Sequence, residues 1–223
     1  MRNPRLRVRK VDLRDYFPLF ANLAIIKYME SIILASGSLL RQDYFKMMGL
    51  PFSIYPAKID ESKTTQTDPE KLTEELAVKK VKKVIEVMNE RLPKWIVGAD
   101  TVVTLDSAIF GKPETREEAA KMLKKLSGKQ HKVITSVAFY NGHTKKTVKR
   151  TAVCTVTFVP LKDKEIEWYL DTNEWQGAAG GYRIQGLAGL FIAQINGDPS
   201  TVAGLPLSEF YVMLRSNGYP YGA

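Results

Sequence analysis

A chain of 223 residues with 44% hydrophobic and 10% aromatic content can bury a sizeable core, as one large domain or two small lobes, which excludes a disordered polymer. Its single cysteine, Cys154, excludes an internal disulfide framework and a multi-cysteine metal site; a reducing, cytoplasmic setting is the expectation. Of the formal net charge of +9, residues 1–28 carry +5 and the body +4, an excess that suits a small polyanionic substrate better than a nucleic-acid duplex.

Residues 1–28, with seven basic and two acidic side chains, read as a basic appendage, and 29–223 as the domain proper. No run approaches eighteen apolar residues, so no membrane span is expected. After Met29, Ser31 to Ala35 reads as a short buried strand, and Ser36-Gly37-Ser38 turns the chain into an amphipathic helix ending near Gly49. Ile54 and Tyr55 suggest a second strand running into a polar segment. Asp68-Pro69-Glu70 then supplies an N-cap, a first-turn proline and an acidic first turn for a long basic helix from Pro69 to about Asn89.

Trp95 to Ala99 and Thr101 to Leu105 form a buried strand interrupted by one acid, Asp100. Thr115-Arg116-Glu117-Glu118 carries a capping-box pattern at the head of a helix that Gly128 stops. Lys132 to Tyr140, the Asn141-Gly142 turn and Lys149 to Val159 predict a hairpin. An acidic helix from Lys162 to Thr172, a glycine-rich segment from Gly177 to Gly189, a strand from Leu190 to Ile195 and a closing helix from Pro206 to Asn217 complete the domain. Alternating strands and helices early, with antiparallel pairing in the middle, predict an α/β fold with a mixed sheet.

Four groups of residues could carry chemistry. At Ser36-Gly37-Ser38 with Arg41, amides and hydroxyls at a strand-to-helix turn suit an anion, although such turns also arise as plain N-caps. Asp60 and Glu61 precede the basic helix with Lys79, Lys80, Lys82 and Lys83; most of these lysines should solvate a helix face, while one on the inward edge would differ. Asp100, flanked by apolar strand residues, is expensive to bury unless it pairs with a cation or metal, or it is a turn aspartate at a strand end. Lys112, between Gly111 and Pro113, sits on a constrained loop able to aim an ammonium at phosphate. In Gly180-Gly181-Tyr182-Arg183-Ile184-Gln185-Gly186, the glycines permit close backbone approach, and Gln185 offers a donor and an acceptor to a base edge. His131 and His143 lack partners at metal-ligand spacing and read as structural or exposed; Cys154 reads as a small buried strand residue.

The ordered set Ile33-Leu34-Ala35-Ser36-Gly37-Ser38, Asp60-Glu61, Gly98-Ala99-Asp100-Thr101-Val102-Val103, Gly111-Lys112-Pro113, Leu126-Ser127-Gly128 with His131, Tyr182 to Gly186 and Val202 to Leu207 resembles the Maf family of nucleotide pyrophosphatases. The resemblance implies two lobes around a nucleotide cleft, similar to inosine triphosphate pyrophosphatases, and a homodimer. It implies hydrolysis of a nucleoside triphosphate, dTTP or UTP favoured, to monophosphate and pyrophosphate. It further implies Asp100 and Glu61 as carboxylates for catalysis and for a divalent metal, Mg²⁺ or Mn²⁺, and Ser36, Arg41, Lys80 and Lys112 as a phosphate clamp. Thr101 and Gln185 match the version that prefers dTTP and UTP, and the position of Leu40 bears on substrate choice. Leu39-Leu40 departs from the family's usual proline and arginine, and Ala178 stands where a lysine is common. A catalytically weakened nucleotide-binding regulator of septum formation or cell division is the competing expectation.

Overall fold

The computed structural model describes residues 29–61, 64–88 and 93–221, so the expected appendage at 1–28 lies outside the described residues. Its centre is a seven-stranded mixed sheet in the order β2-β1-β3-β5-β6-β7, with β4 on the edge of β3. The strands are β1 Ile32–Leu34, β2 Phe52–Ile54, β3 Trp95–Leu105, β4 Ala108–Phe110, β5 Gln130–Asn141, β6 Lys146–Phe158 and β7 Ile192–Asn196. Helix α1 (Leu39–Met47) joins β1 to β2 and helix α2 (Pro69–Met88) joins β2 to β3, and both crossovers set their strands parallel to β1. From β3 onward neighbours run antiparallel, because direct turns connect β3 to β4 and β5 to β6. The mixed α/β architecture expected from the sequence is therefore present.

The remaining helices are α3 (Arg116–Leu126), α4 (Asp163–Asp171), α5 (Pro199–Val202) and α6 (Leu207–Ser216). Their boundaries follow local chemistry. Asp68 accepts from the amides of Glu70 and Lys71, both at 3.0 Å, at the head of α2, and Thr115 accepts from the Glu118 amide at 3.2 Å ahead of α3. Asp198 caps α5 through the Ser200 amide at 2.8 Å, with Pro199 in the first turn.

Three differences from the sequence reading have physical causes. β3 is not interrupted at Asp100: its pairing to β5 runs unbroken from Trp95 to Thr104, since the backbone ladder does not depend on side-chain polarity. β4 and the four-residue α5 are too short to carry a periodic signal. The strand expected from Leu190 begins at Ile192, because a 3₁₀ turn at Leu187–Phe191 occupies its first residues.

One polar register organises the interior. On one face of the sheet, Val97 and Ala99 of β3 pack with Val137 and Phe139 of β5 against α1 and α6. Farther along the same strands, Val103 and Val133 pack with Phe158, Tyr169 and Leu123 against α3 and α4. Thr101 and Thr135 lie between the two clusters and are direct register partners, so a paired polar break divides the apolar stripe into two lobes. On the opposite face, the stripe Ala77, Val81 and Val84 of α2 covers Ile96, Ala138 and Tyr140.

Candidate active site

The pairing of β3 explains where the cleft opens. β5 occupies one edge of β3 almost throughout, so β1 and β4 share the other. β1 pairs no farther than Val97 and β4 begins at Val103, leaving the edge around Asp100 and Thr101 without a strand. A cleft of about 430 Å³ lies there and gathers Ser36, Leu40, Arg41, Glu61, Lys80, Asp100, Thr101, Lys112 and Gln185. Every residue to which the family resemblance gives a site role thus lines a single cavity, along with Ala178, whereas Asp60, Lys79, Lys82 and Lys83 do not line it. Because successive strand residues point to opposite faces, Asp100 enters from the α2 side and Thr101 from the other.

Lys80 lies in the inward stripe of α2 with Thr73, Ala77 and Val84, whereas Lys79 pairs on the outside with Glu75 at 2.5 Å. Its Nζ donates to Asp100 Oδ1 at 2.5 Å and lies 3.2 Å from Glu61 Oε1. Gly98 permits this approach: a Cβ there would stand 2.5 Å from the Ala77 carbonyl oxygen and 3.3 Å from Lys80 Cβ. Lys80 and Asp100 are buried, while Glu61 is exposed at the rim. Burial raises the Asp100 carboxyl above the ordinary aspartate range; the charges of Lys80 and Arg41 oppose the shift, and Glu61 adds to it. Lys112 is exposed at the mouth but crowded by surrounding protein, which together with the charges of Arg41 and Lys80 lowers its ammonium below the ordinary lysine range.

On the opposite wall Arg41 is buried, and burial lowers its guanidinium pKa against the pull of Asp100 and Glu61. Nε donates to the Gly204 carbonyl at 2.8 Å, Nη1 to Ser36 Oγ at 2.9 Å and Nη2 to Thr101 Oγ1 at 3.1 Å. These bonds leave one N–H on each terminal nitrogen. Ser36 Oγ also accepts from the Ser38 amide at 3.2 Å, so both its lone pairs are engaged and its own proton has no acceptor among the described residues. A ligand oxygen is the natural recipient. Gly204, at φ +97, brings its backbone against this cluster, where a Cβ would lie 3.2 Å from Thr101 Oγ1.

Gln185 lies exposed on the far rim, on a loop braced by Arg183 Nε donating to the Glu174 carbonyl at 2.8 Å. The Leu187 amide donates to Glu174 Oε2 at 2.8 Å, and a Cβ at Gly186 would fall 2.1 Å from that same oxygen, so any larger residue there would have to displace the Glu174 carboxylate from the loop. Leu40, half-buried, adds an apolar wall. His131 is buried away from the cleft chemistry, 2.8 Å from the Tyr182 hydroxyl, and burial lowers its pKa to about 4. His143 lies 3.4 Å from Glu30, and Cys154 is buried in β6. Sequence reasoning missed Thr135 and Thr201 and quoted Gly204 only within a motif, without a role: the two threonines are completely buried and continue the Arg41–Thr101 network.

The donor set fits a hard divalent cation only in part. Among the described residues no group of three or more His, Cys, Asp or Glu side chains comes together. Glu61 and Asp100 are oxygen ligands of the kind that hold Mg²⁺ when substrate phosphates and waters complete its shell.

Residues 31–217 match the family described as "Maf-like protein". The chain is 41% identical over 193 residues to the dTTP/UTP pyrophosphatase of Symbiobacterium thermophilum, covering 86% of this chain and 96% of that one. It is 39% identical to the dTTP/UTP pyrophosphatase of Fusobacterium nucleatum (84% and 96% covered) and 39% identical to that of Pyrococcus furiosus (80% and 91% covered). The solved Staphylococcus aureus Ham1 protein aligns with 58% of this chain and 72% of its own at 13% identity, with a TM-score of 0.37, too low to bear on the fold.

Proposed function

The chain belongs to the Maf-like protein family, and from that premise we propose that it hydrolyses a nucleoside triphosphate, dTTP or UTP in preference, to the monophosphate and pyrophosphate. The observation that carries this reading is the Asp100–Lys80–Glu61 chain, at 2.5 and 3.2 Å, facing Ser36 and Arg41 across one cleft. A base beside cations, opposite an anion-binding turn, is the arrangement that phosphoanhydride hydrolysis requires.

In this mechanism a water oxygen bonds to the α-phosphorus while the bond from that phosphorus to the α–β bridging oxygen breaks. The bridging oxygen leaves on pyrophosphate. Asp100 accepts the proton of the attacking water, and its raised pKa makes it a stronger base than an ordinary aspartate. Lys80 favours its ionised form. Lys80, Lys112 and the remaining Arg41 donors offset the charge that gathers on the leaving group, and Ser36 donates its free proton to a phosphate oxygen. A divalent cation, Mg²⁺ or Mn²⁺, would be held by Glu61 and Asp100, where it supplies neutralisation of triphosphate charge and polarisation of the α-phosphorus. Gln185 and Thr101 hydrogen-bond the base, and Leu40 packs beside the nucleotide. We place the enzyme in the cytoplasm, consistent with its lone cysteine, and read it as a homodimer on the family resemblance.

The test is pyrophosphate release from a panel of nucleoside triphosphates with Mg²⁺ or Mn²⁺, set beside Asp100→Asn. Metal-dependent release from dTTP and UTP is expected, falling by about 10²–10⁴-fold in the variant, the range for loss of a general base. Nucleotide binding without turnover across the panel would instead support the weakened regulator, a reading that rests on Leu40 standing where the family usually has arginine.

A further inference from the structure

The hydroxyl protons around Thr101 can be assigned by counting. Thr135 has one, and it donates to the Thr201 carbonyl at 2.7 Å, because a carbonyl oxygen can only accept. The 2.9 Å contact between the Thr101 and Thr135 hydroxyls therefore runs from Thr101 to Thr135. That spends the proton of Thr101. Arg41 Nη2, at 3.1 Å, takes one of its lone pairs, and a single lone pair remains for the cleft that Thr101 lines. Thr135 and Thr201 are both 0% exposed, so water does not compete for the relay.

We infer that Thr135 is a specificity-determining positioning residue, which, by committing the proton of Thr101 to the protein interior, makes Thr101 an acceptor-only group toward the ligand. The inference rests on the hydrolase reading above and deepens it. An acceptor-only oxygen repels phosphate oxygens, which leaves the triphosphate to Ser36, Lys80 and Lys112 and gives Thr101 the neutral end of the nucleotide. There it favours a ring atom that carries a proton, such as the imino N–H of a uracil-type ring. The bare ring nitrogen at the same place in cytosine meets it lone pair to lone pair. Without Thr135 as acceptor, the Thr101 hydroxyl turns freely and can donate as well as accept, so the distinction weakens.

UTP and CTP differ only on that base edge, and their ratio of kcat/KM reads the effect. Thr135→Val keeps the side-chain shape and removes the relay; the UTP-to-CTP preference is expected to fall about tenfold or more, since sites built around a specific hydrogen bond discriminate by larger factors still. Thr135→Ser, which retains the hydroxyl, is expected to keep the wild-type ratio. Because Thr135 acts through Thr101, Thr135→Val should change nothing further in a Thr101→Val background. An unchanged ratio in folded Thr135→Val, or an added change in the double variant, overturns the inference. If Thr135→Val does not fold, Thr135→Cys, with its weakly hydrogen-bonding thiol, carries the same comparison. If the wild type releases no pyrophosphate, the hydrolase reading fails separately, and the ratio of UTP to CTP affinities by calorimetry decides the inference; equal wild-type affinities, or binding of neither, overturn it.

Discussion

Asp100 and Lys80 show how a buried charge is made useful. An aspartate out of water resists ionisation, and the ammonium 2.5 Å away offsets that cost without removing it, so the carboxyl remains above its usual range. ¹³C NMR titration of the Asp100 carboxyl should give a midpoint above the ordinary value of about 3.9. In Lys80→Met it should move further up, because the close opposite charge that favours the ionised carboxylate is gone. An unmoved midpoint would show that Lys80 is not the counter-charge. Lys112 bounds activity from the other side: the protein crowded around it, Arg41 and Lys80 all favour its neutral form, so its contribution is lost as pH rises through a value below the ordinary lysine range. Lys112→Arg, charged at every accessible pH, is expected to push the alkaline fall in kcat upward. Asp100 was legible as an acid in an apolar run. Lys80 was singled out only by the family resemblance, because Lys79, Lys82 and Lys83 look the same in the sequence until the inward face of α2 is known. Thr135 was not, because a threonine in a strand is ordinary and its role depends on the register that sets it opposite Thr101.

At the level of elements, the distance between α2 and β3 governs the site. Gly98 sets that distance, since any Cβ would collide with the Ala77 carbonyl on the helix and press on Lys80. Gly98→Ala should therefore destabilise the protein by about 1–3 kcal/mol, as overpacking does. It should also lower kcat, because the helix that must retreat carries Lys80. Denaturant midpoints and turnover measured together distinguish this from loss of stability alone; full kcat in a destabilised variant would separate the helix position from catalysis. The glycine before Ala99 stood out in the sequence only as part of a motif, and its reason lies in Ala77, 21 residues earlier in the chain. Caps, turns and long helices were readable because their causes are local: Asp68 ahead of α2, Thr115 ahead of α3. The cleft was not, since it exists where β1 and β4 leave one edge of β3 unpaired, and pairing partners are a property of the assembled sheet.

Across the molecule, the long strands β3 and β5 run through both apolar clusters, and the Thr101–Thr135 register between them is where the lobes part. Catalytic geometry therefore depends on the integrity of both lobes, and the one packed against α3 and α4 contains a titratable group. His131 packs edge-on against Phe158 and Tyr182, with ring centroids at 5.0 and 5.6 Å. Burial holds its pKa near 4, against about 6.5 in an unfolded chain. A histidine with a depressed folded value favours the native state fully above the unfolded pKa, and that advantage is lost as pH falls toward the folded one. The shift corresponds to roughly 3 kcal/mol lost between about pH 6.5 and 4. Denaturant unfolding followed across that window should show the decline, and His131→Gln, which cannot take up the proton, should flatten it while costing some stability at neutral pH through poorer packing. An equal acid slope in the variant would assign the loss to carboxylates instead. Because β5 carries His131 and Thr135 four residues apart, weakening of that lobe at low pH should reach the cleft, and nucleotide affinity should decline over the same window in the wild type more than in His131→Gln.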